Sequence, residues 1–213
     1  AILMEPNTGK ILYEKNANEL RPCASITKVM TLLLVMEAID SGKISLDDQV
    51  TASAHAASMG GSDIWLKEGE TMSVNDLIKA TVIMSANDAA VVLAEHVYGT
   101  EDEFVKQMNI RAKQLGMNDT TFKNCNGLDE DGHLTTAHDV ALMSAELIKH
   151  EKIFDYTLTW MDYVRDGETQ LVNTNKLIRS YKGITGLKTG TTSQAGSCIS
   201  ATAKRDNLSL VAV

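Results

Sequence analysis

The chain is poor in the residues that mark several large classes of protein. Of 213 residues only three are cysteine, Cys23, Cys125 and Cys198, widely spaced and without a C-x-x-C pair. That argues against a disulfide framework and against a structural zinc site. Each cysteine is then a small apolar side chain by default, and the redox compartment stays undecided. Basic charge is in deficit, with 20 Lys and Arg against 28 Asp and Glu and a formal net charge of -8. Nucleic-acid binding rests on many cationic contacts to phosphate, and no basic run interleaved with aromatics compensates. Aromatics are only 5%, and no apolar stretch approaches the roughly 20 residues of a membrane-spanning helix. No internal repeat or low-complexity tract is present.

What is there is a chain with 44% hydrophobic residues, long enough to bury a substantial core as one large domain or two small ones. "AILME" and "KILYE" flank the turn "PNTG" and predict a hairpin. Dense apolar spacing from Ser25 to about Asp40 predicts a long helix stopped by Gly42. "MSVNDLIKATVIM" reads as a second helix with Ser73 as N-cap and Asp76 closing a capping box. "AAVVLAEHVYG" reads as a third, and segments 102–115 and 136–150 as two more. Past residue 155 the pattern turns to short stretches rich in β-branched and small residues, "ITGLKTGTT", "GSCISATAK" and "LSLVAV". The expected fold is α/β of the α+β type. An antiparallel five-stranded sheet from residues 1–15 and 183–213, with the first hairpin beside the last strand, is flanked by helices from residues 25–150.

Three short elements carry the chemistry. Ser25-Ile26-Thr27-Lys28 is the only S-x-x-K in the chain, Ser85-Ala86-Asn87 is an S-x-N, and Lys188-Thr189-Gly190 is the only K-T-G. In a helix, residues i and i+3 share a face, so the Ser25 hydroxyl and Lys28 ammonium are neighbours by construction. A serine is a poor nucleophile until a base takes its proton, and lysine serves only if deprotonated near neutral pH. Burial and a second cation both depress a lysine pKa; Lys28 runs toward the core, and Lys188 on a strand is the second cation. Ser85 is placed to relay a proton to a leaving amine, and Asn87 offers an amide to orient substrate. The N–H groups of Ser25 and Thr191 are the expected oxyanion donors, while Lys188 and Thr189 present a cation and a hydroxyl to an anionic group. Ser73-Val74-Asn75 is a competing S-x-N, but Ser73 already has a capping role, whereas Ser85 falls in a break between two apolar helices.

The pair Ser25/Lys28 by itself has a plainer reading, an N-cap followed by a first-turn lysine. The ordered set S-x-x-K, S-x-N, K-T-G resembles the penicillin-binding protein and serine β-lactamase superfamily. "ILMEPNTGKILYEKNAN", "PCASITKVMT", "MSANDAAVVLAEHVYG", "NGLDEDGHLTTAHDVALM" and "GLKTGTTSQAGSCISATA" are similar to the low-molecular-mass D-alanyl-D-alanine carboxypeptidases, over nearly the whole chain. The resemblance implies a single β-lactamase/transpeptidase-like catalytic domain over residues 1–213, acting on peptidoglycan stem peptides ending in D-Ala-D-Ala through a Ser25 acyl-enzyme. β-Lactam antibiotics are the implied covalent inhibitors. Ser25, Lys28, Ser85, Asn87 and Lys188 are the implied catalytic residues, and Thr189, Gly190 and Thr191 bind substrate. No cofactor or metal is implied, and no nucleic acid partner. The substrate lies outside the cytoplasmic membrane, so the parent is expected to be exported. Both ends of the chain stop inside strands, and a signal peptide and a C-terminal domain or anchor, the only implied membrane contact, are expected beyond them.

A class A β-lactamase would add a glutamate in an E-x-x-L-N loop; "ETQLVN" at 168–173 puts the asparagine one residue late, in what reads as a polar strand and turn. Carboxypeptidases of this family often carry an arginine ahead of K-T-G to hold the substrate carboxylate. The matching place here is Thr174, with Lys176 and Arg179 nearby as alternative cations. "HLTTAHD", with His133 and His138 beside Asp129, Glu130 and Asp131, fits neither H-E-x-x-H nor a calcium loop and reads as a turn and helix start. Cys23 reads as core filling rather than a thiol at the site mouth, and Trp65 as a possible lining of the groove. A non-turnover penicillin-binding module, a transpeptidase or endopeptidase, and a β-lactamase are the alternatives on the same fold.

Overall fold

Alternating burial in the terminal segments builds the sheet. The computed structural model describes residues 1–213. In it β1 (Ile2–Glu5) points Ile2 and Met4 inward and pairs antiparallel with β2 (Lys10–Glu14). Glu5 holds the turn between them, its carboxylate accepting from the N–H groups of Asn7 and Thr8 at 3.0 and 2.8 Å. The C-terminal strands are β7 (Ile184–Thr192), β8 (Gly196–Arg205) and β9 (Leu208–Ala212). Together they form one antiparallel five-stranded sheet in the order β2-β1-β9-β8-β7, with the hairpin beside the last strand as expected. β7 is therefore an edge strand, and its free edge lies against the turn at residues 24–27.

The helical region is built around α1 (Lys28–Asp40), in which every residue from Lys28 to Met36 is buried. A helix that is apolar on all sides has to lie inside the protein, and α1 does, with α4 (Asn87–Tyr98), α5 (Glu101–Gln114) and α6 (Ala137–Leu147) around it. It ends as expected at Gly42 (φ +71°), where the Lys43 N–H reaches back to the Ala38 carbonyl at 2.9 Å. Ser73, Thr100 and Thr136 cap α3 (Val74–Lys79), α5 and α6 by accepting the N–H of Asp76, Glu103 and Asp139, each worth about 1 kcal/mol. The capping box at α3 is only half made: the Asp76 carboxylate faces Lys79 at 3.5 Å instead of the Ser73 N–H.

Two small antiparallel pairs lie outside the main sheet, β3 (Gln49–Thr51) with β4 (Thr71–Ser73), and β5 (Met161–Val164) with β6 (Thr169–Val172). Short helices α2 (Ala54–Ala57), α7 (Phe154–Thr157) and α8 (Leu177–Ser180) complete the chain. The segment 72–84 differs from the single helix expected. After α3 the backbone widens into a π turn over Ala80–Met84, and that extra residue per turn breaks the chain open at Ser85.

Candidate active site

The turn that carries Ser25 is tight because the chain reverses at Ala24, which takes a left-handed backbone (φ +49°) uncommon for a residue with a Cβ. Ala24–Thr27 form a 3₁₀ turn, closed by the Ile26 N–H on the Cys23 carbonyl at 3.1 Å, and α1 begins at Lys28. Two glycines make room for it. A Cβ on Gly127 would stand 2.0 Å from the Ala24 carbonyl oxygen, and one on Gly190 would stand 2.8 Å from the Ser25 nitrogen. Ser25 is not an N-cap: it sits inside the turn, and its Oγ accepts from Lys28 Nζ at 3.0 Å. The Ser25 N–H makes no hydrogen bond within the protein.

Lys28 is fully buried, 0% exposed, and so is not a first-turn lysine reaching to water. Its Nζ donates to Ser25 Oγ at 3.0 Å, Asn87 Oδ1 at 2.6 Å and the Asn126 carbonyl at 2.7 Å. Burial pulls its pKa down from the ordinary lysine range to about 7, against the upward pull of Cys125, Asp63 and Asp88. Lys28 and Lys188 disfavour each other's charge, and the Lys188 pKa is held well below the usual lysine value by burial first and by the Lys28 charge second.

The second element is displayed by the break after the π turn. Ser85 has φ +66°, and its Oγ accepts from Lys188 Nζ at 2.8 Å. Asn87 opens α4 and is clamped on three sides: its N–H donates to the Ser62 carbonyl at 2.6 Å, its Nδ2 to the Gly60 carbonyl at 2.6 Å, and its Oδ1 accepts from Lys28. The structure thus gathers the five residues as two hydrogen-bonded groups, Ser25 with Lys28 and Asn87, and Ser85 with Lys188, coupled through the charges of the two lysines, with Ser25 partly exposed and the other four buried. It is defined by these contacts rather than by void: a cavity of about 430 Å³ beside Cys23, Ile26, Val140 and Cys198 contains none of the five.

On β7, Thr189 is half-buried, Gly190 is buried against the Ser25 turn, and Thr191 is exposed opposite Ser197. Thr189 Oγ1 donates to Thr174 Oγ1 at 2.7 Å. Thr174 is itself fixed, because its N–H donates to the Ile83 carbonyl and buried Asn173 and Asn175 flank it. Apart from its neighbour Lys188, whose Nζ donates to the Thr189 carbonyl at 2.9 Å, no cation hydrogen-bonds to Thr189: the Arg179 guanidinium lies over the Trp160 ring at 5.1 Å, and exposed Lys176 makes no ion pair. Trp65 stands 73% exposed, in a depression shared with Lys67, Glu68 and Arg165 that includes no member of the cluster. Cys23 is buried, its Sγ 3.3 Å from Thr27 Oγ1, and burial raises its pKa to about 11. Glu168 lies in the tip of the β5–β6 hairpin, as the polar strand-and-turn reading of that segment predicts.

Sequence reasoning missed several partners, the Asn126 and Gly60 carbonyls and Asp63 and Asp88 near Lys28; it marks Thr174 as the place of a cation rather than as the hydroxyl partner of Thr189. Main-chain carbonyls have no residue-type signature.

The family model described as D-alanyl-D-alanine carboxypeptidase, peptidase S11, matches residues 1–213. The chain belongs to this S11 family. A D-alanyl-D-alanine carboxypeptidase of Bacillus subtilis, DacF, is 51% identical over all of this chain and 56% of its own length. Penicillin-binding protein 6B of Escherichia coli superposes with a TM-score of 0.91 at 35% identity, covering 99% of this chain and 68% of that one. Penicillin-binding protein D2 of Listeria monocytogenes, solved with ampicillin bound, gives a TM-score of 0.89 at 36% identity, covering 99% of this chain and 86% of that one. The S11 chain spans about half the length of the curated relatives it matches.

Proposed function

We propose that residues 1–213 form the catalytic domain of a serine-type D-Ala-D-Ala carboxypeptidase that releases the terminal D-alanine of peptidoglycan stem peptides. The observation that carries this reading is Lys28, a buried lysine with a pKa near 7, 3.0 Å from the hydroxyl of a partly exposed serine. Neutral Lys28 takes the Ser25 proton as Oγ attacks the carbonyl of the penultimate D-alanine. The N–H groups of Ser25 and Thr191 receive the developing oxyanion. The C–N bond then breaks, and the D-alanine amine leaves with the proton Lys28 took from Ser25, relayed through Ser85, which Lys188 faces at 2.8 Å, so that Lys28 is neutral again. Water attacks the ester with Lys28 again as base, freeing Ser25. Asn87 fixes Lys28 and the substrate amide, and Thr189, Gly190 and Lys188 shape the carboxylate site. Thr174, through its hydroxyl on Thr189, adds a neutral partner where a cation is expected.

The membership in S11 and the ampicillin bound to the Listeria relative support acylation of Ser25 by β-lactams. Peptidoglycan lies outside the cytoplasmic membrane, so the reaction is placed there; no helix here is long and apolar enough to cross a membrane. The test is intact-mass spectrometry over time with a penicillin, on the wild type and on Ser25→Ala, followed by assay of D-alanine release from a diacyl-D-Ala-D-Ala peptide. The expected result is a slowly clearing adduct on the wild type alone, with D-alanine released. An adduct without release identifies a covalent binding module, rapid hydrolysis of the drug a β-lactamase, and no adduct on folded protein removes Ser25 from the chemistry.

A further inference from the structure

We infer that His133 is a positioning residue for the nucleophile turn, acting through the Thr27 hydroxyl. The inference rests on the reading of Ser25 as the nucleophile.

His133 is 4% exposed and has no part in the reaction described above. The Lys123 N–H donates to its Nδ1 at 3.1 Å, so that nitrogen carries a lone pair and the proton sits on Nε2. Nε2 then donates to Thr27 Oγ1 at 2.8 Å. The ring is neutral at physiological pH, because burial lowers its pKa to about 4. An uncharged donor of fixed tautomer, held from behind by a main-chain N–H and packed edge-on against Phe122, is a rigid pin.

The pin meets the turn at the residue between nucleophile and base. Thr27 is 0% exposed, lies between Ser25 and Lys28, and ends the 3₁₀ turn that Ala24 enters with its left-handed backbone. α1 has no side-chain cap of its own; locally the turn is held by the Ile26 N–H on the Cys23 carbonyl and a long 3.3 Å contact from Cys23 Sγ to Thr27 Oγ1. Segment 125–133 adds the constraint from outside. Its Cys125 carbonyl accepts from Thr31 Oγ1 at 2.6 Å, its Asn126 carbonyl from Lys28 Nζ at 2.7 Å, and Gly127 packs against the Ala24 carbonyl. Of these contacts only the His133 bond is made by a side chain of the segment, so it alone can be cut without moving the main chain. The bond sets where Ser25 Oγ stands relative to Lys28 Nζ, a separation on which proton transfer depends steeply.

The experiment uses two isosteric halves of the imidazole. Gln places an amide N–H where Nε2 was and keeps the donor to Thr27. Asn keeps an acceptor for the Lys123 N–H but cannot reach Thr27. For wild type, His133→Gln, His133→Asn and Thr27→Val, the penicillin acylation rate constant and the preceding non-covalent dissociation constant are measured separately, with thermal midpoints and adduct mass alongside. The expected result is a loss of about 100-fold in the acylation step for His133→Asn and for Thr27→Val, with the dissociation constant unchanged. His133→Gln stays near wild type, and the double variant His133→Asn/Thr27→Val is no slower than either single one. His133→Asn acylating at the wild-type rate overturns the inference, as does equal slowing of the Gln and Asn variants at unchanged stability. If His133→Asn does not fold, Thr27→Val decides when set against Cys23→Ala, which removes the Cys23 contact to the same hydroxyl but not the His133 bond: slowing in Thr27→Val alone sustains the inference, and an unchanged rate or equal slowing of both overturns it. A wild type that forms no Ser25 adduct fails the nucleophile reading itself, a result separable from all of these.

Discussion

The two walls of the site carry the same residue to different ends. On the helical wall, Lys28 is surrounded by three fixed acceptors and has Asp63 and Asp88 near enough to favour its charge. On the strand wall, Lys188 is equally buried but has two acceptors, Ser85 Oγ and the Thr189 carbonyl, and the only charge that shifts it is the like charge of Lys28. Burial depresses both lysines; Cys125, Asp63 and Asp88 pull Lys28 back up toward 7, while no such group faces Lys188. The comparison teaches that two buried lysines in one cluster are separated in role by what lies behind them, not by their own depth.

The change expected to break the comparison most severely is Lys28→Met, which keeps the volume and removes the base. Acylation by a penicillin should fall by about 10³-fold or more, measured as adduct formation on folded protein. In the wild type the same rate should rise with pH through a midpoint near 7, because the neutral lysine is the active form. The stability sign follows from the same depression. The unfolded chain binds the Lys28 proton up to the ordinary lysine range and the folded one only up to about 7, so stability rises with pH across that window. A denaturant series at several pH values should lose part of this slope in Lys28→Met.

A smaller effect is expected where the walls meet. Gly190→Ala puts a Cβ 2.8 Å from the Ser25 nitrogen, so strand and turn must separate. Acylation should drop about 100-fold with little change in thermal midpoint, since an edge strand moves outward more easily than the core repacks. The smallest and most informative change is Asp63→Asn. It removes one of the carboxylates that hold Lys28 up, so the midpoint of the pH–rate curve should move to lower pH by less than about one unit. An unmoved or raised midpoint would show that Asp63 does not set the base.

Much of the arrangement was readable from residue order. Ser25 and Lys28 are neighbours because a helical turn makes them so, and the turn chemistry of "PNTG", Ser73, Thr136 and Gly42 acts over a few residues. The K-T-G strand reads as a strand because Thr-rich alternation suits one. Other features were not readable. Ser25 looks like a cap, yet the left-handed step at Ala24 turns it inward, and that step is held by Gly127 and Gly190, about 100 and 165 residues away. Residue order ahead of K-T-G points to Lys176 or Arg179 as the cation, but Trp160 takes Arg179 and Thr174 takes the contact with Thr189. His133 looked like a turn residue beside an acidic run, and only its partners reveal its tautomer.

By itself the sequence determined the local pieces: the strand and helix segments, their caps, the three motifs, and the pairing of a serine with a lysine one turn away. These depend on interactions spanning a few residues, which order along the chain specifies directly. The tertiary structure alone decided how far each lysine is buried, which carboxylates and carbonyls surround it, and how the nucleophile turn is braced from residues 125–133. Those quantities are sums over atoms brought together from distant parts of the chain, and desolvation and Coulomb energy depend on that packing rather than on residue order.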